Sequence, residues 1–121
     1  MSSADPAHAL LLGRLAQEGD TPLALLPVSG GPRGDGALAV SSTRLWLTQP
    51  HLLGGPSVAS VPLTSVGAVR VEATRGLLGT GGGLRVELVV DGRPVRWRTR
   101  ASREAADDFA AAVAAARRAG P

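Results

Sequence analysis

Apolar and polar residues alternate with a period of two along most of the central chain, which is the pattern of half-buried β-strands. The alternating stretches are short, and turns rich in Gly, Ser and Pro separate them at the spacing typical of a small β-sandwich or barrel. The prolines of the first stretch favour an edge or irregular strand. We predict strands at residues 22–28, 36–42, 44–49, 58–63, 68–74, 84–90 and 93–99.

The N-terminal part of the chain has the apolar spacing of a short helix. Asp5 followed by Pro6 is a favourable helix start, because aspartate accepts hydrogen bonds from free N–H groups and proline fits the first helical position. Gly19 is a typical stop signal. A helix is therefore predicted at residues 6–18, with an apolar stripe formed by Leu11, Leu12 and Leu15.

The C-terminal part predicts a longer amphipathic helix. Ser102 is its predicted N-cap, and Arg117 and Arg118 favour its last turn. Its apolar stripe contains Phe109, Val113 and Ala116. The predicted fold class is α+β, mainly β: a barrel of about seven antiparallel strands, capped by this C-terminal α-helix and preceded by an extra short N-terminal helix.

The sequence Asp91-Gly92 is the strongest hairpin signal in the chain. A two-residue turn there sets the register, pairing Glu87 with Arg96 and Arg85 with Arg98. The buried face of this hairpin is then predicted to contain Leu84, Val86, Leu88, Val95, Trp97 and Thr99. The opposite face contains Arg85, Glu87, Arg96, Arg98 and Arg100, and the preceding strand adds Arg70 and Glu72.

Two interpretations of these arginines remain open. The charges form solvated cross-strand pairs, worth about 0.2–1 kcal/mol each, or the face binds an acidic protein or peptide. Nucleic acid is not the expected partner, because no exposed aromatic residues lie between the arginines to stack on bases. The candidate partner-binding residues are Arg70, Arg85, Arg96, Arg98, Arg100 and Trp46. We expect Trp46 to be either an exposed anchor or a residue covered by the N-terminal helix.

Composition narrows the classes of protein that fit. The 121 residues suit one domain, and all thirteen basic residues are arginine, for a net charge of only +3. Without cysteine the chain has no disulfide or thiolate metal site. No apolar run is long enough to span a bilayer and no secretory signal pattern opens the chain, so a cytoplasmic location is expected.

Residues that carry chemistry are few. His8 and His51 stand apart from any spaced carboxylates, and no nucleophile motif surrounds the serines, so we predict no catalytic residue, metal or cofactor. The segment RGLLGTGGG (75–83) lacks the Gly-Lys-Ser/Thr of a phosphate loop. Its Leu77 and Leu78 either cover the edge of the barrel or, with Arg75, form an apolar tip for a partner protein or an anionic membrane.

The outer side of the predicted C-terminal helix is rich in alanine, with Ala110, Ala111, Ala114 and Ala115. Small side chains permit close approach of a second helix, so this side is a candidate seam for a homodimer. Alanine is also the residue most favourable to helix formation, and that simpler interpretation is preferred.

Three segments together resemble the bacterial pleckstrin-homology-like (PH-like) domains, especially the small free-standing YokE-like type. They are GALAVSSTRLWLTQ, VASVPLTSVGAVRVEATRGLLG and the closing DDFAAAVAAARR, and the likeness covers about residues 22–117. It implies a PH-like domain at residues 21–119 preceded by a helical extension at 1–20, and binding rather than catalysis. Phosphoinositide binding is not expected, because the first hairpin loop offers Arg33 alone, beside Asp35.

The sequence therefore favours a non-enzymatic interaction or regulatory module that binds a protein partner through the arginine-bearing face or an edge strand. The second hypothesis is peripheral binding to anionic membranes through the 75–83 loop. The third is a small-molecule enzyme, which an occupied pocket lined by polar residues would indicate.

Overall fold

The computed structural model describes residues 6–29, 35–49, 57–73 and 83–119. Its architecture is α+β and mainly β, as predicted. The proposed loop site of Arg75, Leu77 and Leu78 lies outside the described residues, as do Arg33 and His51. The elements in chain order are α1 (Pro6–Gln17), β1 (Ala24–Ser29), β2 (Asp35–Val40), β3 (Arg44–Gln49), β4 (Ser57–Pro62), a 3-10 helix (Leu63–Ser65), β5 (Val66–Ala73), β6 (Leu84–Val90), β7 (Arg93–Thr99) and α2 (Arg103–Ala119).

The strands follow the order β4-β3-β2-β1-β7-β6-β5, and all paired neighbours are antiparallel. They form a four-stranded sheet of β1–β4 and a three-stranded sheet of β5–β7. In the described residues the two sheets are joined by one bridge, Ser29 with Arg98. No pairing joins β4 to β5 in the same ranges, so the predicted barrel is not closed: the chain turns away from β4 through the 3-10 helix.

The main core lies between the two sheets and α2. Phe109 is completely buried at its centre, with Val113 and Ala116 on the same helical stripe. Trp97 is half-buried and packs against this core, as the parity of its strand predicts. Ser102 caps α2 by accepting a hydrogen bond from the Ala105 N–H at 3.1 Å. The predicted closure of the sheets by the C-terminal helix is confirmed, although the strands do not complete a barrel.

A second, smaller core lies under α1, on the β2–β3 side of the four-stranded sheet. Leu11 and Leu15 are one helical turn apart and pack with Ala37, Ala39 and Trp46. The two alanines let the helix approach the sheet closely. The prediction that Leu12 belongs to this stripe is wrong: its side chain is 38% exposed, because it lies about 100° around the helix from Leu11.

The predicted burial of one residue on the core face of the β6–β7 hairpin is also wrong. Val95 is 37% exposed, although its cross-strand partner Leu88 is fully buried. The helix α2 packs mainly on β5 and β1, so it covers β7 less completely than the alternation of β7 implies. Thr99, at the other end of the same strand, is buried and donates a hydrogen bond to the Pro27 carbonyl.

None of the described helices is both long enough and apolar enough to cross a membrane.

Candidate functional site

The candidate surface is built on the β6–β7 hairpin, whose turn has the geometry that the sequence predicts. Asp91 and Gly92 have φ of 52° and 79°, the paired positive values of a type I′ turn. The Asp91 N–H also donates a hydrogen bond to the Ser65 carbonyl at 2.8 Å, which ties the turn to the 3-10 helix. This turn fixes the register as predicted, with Glu87 opposite Arg96 and Arg85 opposite Arg98.

The register of β5 extends this pattern into two rows of charge across the three-stranded sheet. The first row is Arg70, Glu87 and Arg96. The second row is Glu72, Arg85 and Arg98. Each row therefore places one glutamate against two arginines, so positive charge is in excess in both. Arg100 continues the outward parity of β7 just beyond the strand and is exposed. We call Arg70, Arg85, Arg96, Arg98 and Arg100 the arginine ribbon.

Glu87 and Arg96 form the close ion pair of the first row, with Nε donating to Oε2 at 2.7 Å. This hydrogen bond lowers the pKa of Glu87 most, and the charges of Arg96, Arg70 and Arg85 lower it further. The same bond raises the pKa of Arg96. The solvated cross-strand pair expected from the sequence is therefore present between Glu87 and Arg96. It neutralises the charge of one arginine of the ribbon.

Among the described residues, the second row contains no close ion pair. In the described part of the chain, neither Arg85 nor Arg98 has a carboxylate within 4.0 Å, although Glu72 faces Arg85 across the strands. Arg85 and Arg98 face each other directly, and like charges in that position repel. Arg98 is exposed and Arg85 half-buried. The fold thus opposes two guanidinium groups in a row that contains one glutamate, and neither arginine makes a close ion pair with it.

Trp46 does not join the ribbon. It is only 4% exposed and lies beneath α1, so the exposed-anchor alternative is wrong and coverage by the N-terminal helix is found. Its indole Nε1 donates a hydrogen bond to Asp20 Oδ2 at 2.9 Å. Asp20 received no role from the sequence. The available signal was indirect: a buried tryptophan needs an acceptor for its N–H group, and Asp20 follows the helix that buries it.

Asp20 opens onto a polar groove between the end of α1 and the β3–β4 edge. The groove has a volume of about 670 Å³, and its lining includes Arg14, Asp20, Ser42, Arg44 and Ser60. Burial tends to raise the pKa of Asp20, but hydrogen bonds from Ser41, Trp46 and Thr21 and the charge of Arg44 outweigh burial, so this pKa is lowered. We call this cavity the β3 groove.

His8 lies on α1 and its Nε2 is buried without a hydrogen-bond partner. Within the described ranges, no group of three or more His, Asp or Glu side chains is arranged to hold a metal ion.

Comparisons of the chain with protein-family models, curated proteins and solved structures find no match.

Proposed function

We propose that the protein is a non-enzymatic PH-like interaction module that binds an acidic segment of a partner protein through the arginine ribbon. The observation that carries the proposal is the direct opposition of Arg85 and Arg98, neither of which forms a close ion pair in the described residues, in a row that holds one glutamate for two arginines. This arrangement costs stability in the free protein, and a bound carboxylate relieves the cost.

The architecture supports the PH-like part of the proposal. The described elements contain seven antiparallel strands in two sheets, followed by one C-terminal helix whose Phe109 fills the space between them. This order agrees with the sequence segments that resemble PH-like domains. The two outer strands, β4 and β5, each pair on one side only in the described residues. An extended acidic segment can therefore add to β5, which itself carries Arg70 of the ribbon.

Geometry favours a peptide over nucleic acid as the ligand of the ribbon. Side chains at alternate positions of a strand are about 6.6–7 Å apart, so Arg96, Arg98 and Arg100 match the repeat of an extended chain. The only aromatic residues of the chain are two tryptophans and one phenylalanine. Trp46 and Phe109 are buried and Trp97 packs on the core, so none of them offers a stacking platform beside the arginines.

The β3 groove supports binding over catalysis. A general base works best when its pKa lies near the working pH. The pKa of Asp20 lies below its ordinary value instead, which suits a fixed negative charge.

The test is fluorescence anisotropy with a labelled oligo-glutamate peptide, at several salt concentrations, with an oligo-glutamine peptide as the uncharged control. The variant Arg96→Glu/Arg98→Glu reverses two charges of the ribbon. The matched control Arg103→Glu/Arg118→Glu changes the net charge equally but acts on α2. We expect the affinity of the ribbon variant for the oligo-glutamate peptide to fall by more than about tenfold, because charge reversal at an interface turns attraction into repulsion. The control should keep the affinity of the wild type.

Anionic vesicles containing phosphatidylserine provide the second arm, because the 75–83 loop is the sequence-based alternative. The proposal is supported when the acidic peptide binds in a ribbon-dependent manner. It is overturned when neither peptide binds at low salt, or when the two charge-reversal variants lose binding equally. Vesicle binding that is insensitive to the ribbon variant but lost in Arg75→Gln/Leu77→Ser/Leu78→Ser assigns the function to the loop instead.

A further inference from the structure

The β3 groove holds a guanidinium and a carboxylate that are fixed by the fold but do not touch. Arg44 Nε donates a hydrogen bond to Ser60 Oγ at 2.9 Å, which anchors its side chain to β4. Asp20 is anchored through both oxygens: Oδ2 accepts from Trp46 Nε1 at 2.9 Å and Oδ1 accepts from the Thr21 N–H at 3.0 Å. No nitrogen of Arg44 approaches an Asp20 oxygen within 4.0 Å.

Both the Arg44 guanidinium and the Asp20 carboxylate can form further hydrogen bonds. Within the described residues, no hydrogen bond engages the two Nη groups of Arg44, and these nitrogens are not buried, so they reach solvent in the groove. A guanidinium presents its Nη groups as a planar fork that matches a carboxylate. With the hydrogen bond from Ser41 counted, the Asp20 carboxylate uses three of its about four acceptor positions, and one remains for a ligand.

The groove therefore presents one positive and one negative group, both held in place before a ligand arrives. Preorganised groups of this kind cost little entropy on binding. The charges across the groove also balance, because Arg14 and Glu18, which also line it, add one of each sign and lie 4.0 Å apart. A ligand of a single sign would meet one attractive and one repulsive group, whereas a ligand with both charges meets two attractive ones.

We propose that the β3 groove binds a small zwitterion of the α-amino-acid type, with its carboxylate on Arg44 and its ammonium on Asp20. Ser42 and Thr43, which also line the groove, offer hydroxyl groups to the polar part of such a ligand, and Val58 offers an apolar contact to its side chain. This site lies on the four-stranded sheet, whereas the arginine ribbon lies on the three-stranded sheet, and the two proposals stand or fall separately.

The two tryptophans allow a sharp test by nuclear magnetic resonance. The chain contains only Trp46 and Trp97, so a ¹H–¹⁵N spectrum shows two indole signals. Trp46 donates directly to Asp20, while Trp97 packs on the other core and serves as an internal control. The probes are glycine, L-leucine and L-glutamate. Leucinamide, which lacks the carboxylate, and N-acetyl-leucine, which lacks the ammonium, are the matched analogues.

We expect at least one of the three amino acids to shift the Trp46 indole signal and to leave the Trp97 signal in place. Both leucine analogues should bind about tenfold or more weakly than leucine, as expected when a hydrogen-bonded charge loses its partner. Arg44→Gln should weaken the amino acid but leave leucinamide unchanged, and Asp20→Asn should weaken the amino acid but leave N-acetyl-leucine unchanged.

An unshifted Trp46 signal with all three amino acids at millimolar concentrations overturns the proposal. Equal binding of leucine and its two analogues also overturns it, because the charges would then play no part. The Trp97 signal of each variant verifies that the protein is folded, and the analogue comparison uses the wild-type protein alone.

Discussion

At the scale of single residues, the hydrogen bond between Trp46 and Asp20 is the directional contact that holds the end of α1 on the sheet. It joins the segment that follows α1 to the centre of β3. Leu11 and Leu15 add apolar contact, but apolar contact is not directional. The indole N–H therefore determines how the helix end sits on the sheet.

We predict that Asp20→Ala lowers the free energy of unfolding by about 1–3 kcal/mol, the cost of leaving a buried donor without an acceptor. Urea denaturation followed by tryptophan fluorescence measures the change. Glu18→Ala is the control, because Glu18 makes only an exposed ion pair at 4.0 Å with Arg14. Its effect should stay below about 0.5 kcal/mol. Equal losses in the two variants would show that the Trp46 contact contributes nothing specific.

The same carboxylate gives a prediction for pH. The pKa of Asp20 is lower in the folded protein than its ordinary value. The unfolded chain therefore binds this proton more tightly, and the stabilisation is fully present above about pH 4, the pKa of an unfolded aspartate. It is lost as the pH falls through the folded pKa.

We expect the stability difference between wild type and Asp20→Asn to be constant from about pH 7 to about pH 5 and to shrink below about pH 4. Asparagine keeps an oxygen acceptor for Trp46 but carries no charge. The other carboxylates, including Glu87 with its lowered pKa, are common to both proteins and cancel in the difference. A difference that does not change with pH would contradict the account.

At the scale of elements, two glycines should respond in opposite directions to the same substitution. Gly92 has φ of 79° in the β6–β7 turn, where an added Cβ is strained. Gly13 lies inside α1, and apart from its own helix backbone and chain neighbours no atom lies within 4 Å of an added Cβ. We predict that Gly92→Ala destabilises the protein by about 1 kcal/mol and that Gly13→Ala stabilises it by up to about 1 kcal/mol.

Thermal unfolding of the two variants beside wild type measures both effects. A destabilising Gly13→Ala would mean that α1 is not helical at this position or that its surroundings are more crowded than the structure shows. A neutral Gly92→Ala would contradict the type I′ turn.

The element scale also shows what sequence could and could not supply. The bounds of β6 and β7 and the pairing of every residue between them follow from Asp91-Gly92 and strict alternation, because a two-residue turn leaves one register. Burial was predicted less well. Leu12 and Val95 fit apolar patterns but are exposed by more than a third, since the packing of α1 and α2 decides which positions are covered.

At the scale of the whole molecule, the closing helix was predictable and the closure of the strands was not. Phe109 lies on an amphipathic stripe that needs an apolar partner, so its burial follows from local pattern. Whether β4 pairs with β5 depends on the 3-10 helix at Leu63–Ser65, which no alternation reveals. The β3 groove was equally hidden, because Asp20, Arg44 and Ser60 come from three separate segments.

The central claim is that the arginine ribbon binds an acidic partner and lowers the stability of the free protein. Arg98→Glu tests both parts at once, because it replaces the repulsion between Arg98 and Arg85 by a cross-strand ion pair. We predict that this single variant raises the free energy of unfolding by about 0.2–1 kcal/mol. It should also weaken binding of the oligo-glutamate peptide by about tenfold.

The measurement is urea denaturation and peptide anisotropy on wild type, Arg98→Glu and Arg118→Glu, the last having the same net charge as Arg98→Glu. The predicted result is a more stable Arg98→Glu protein that binds the peptide poorly, beside an Arg118→Glu protein that binds within about twofold of wild type. A more stable Arg98→Glu protein that binds as well as wild type would contradict the account and leave the arginines as a solvated face of the sheet.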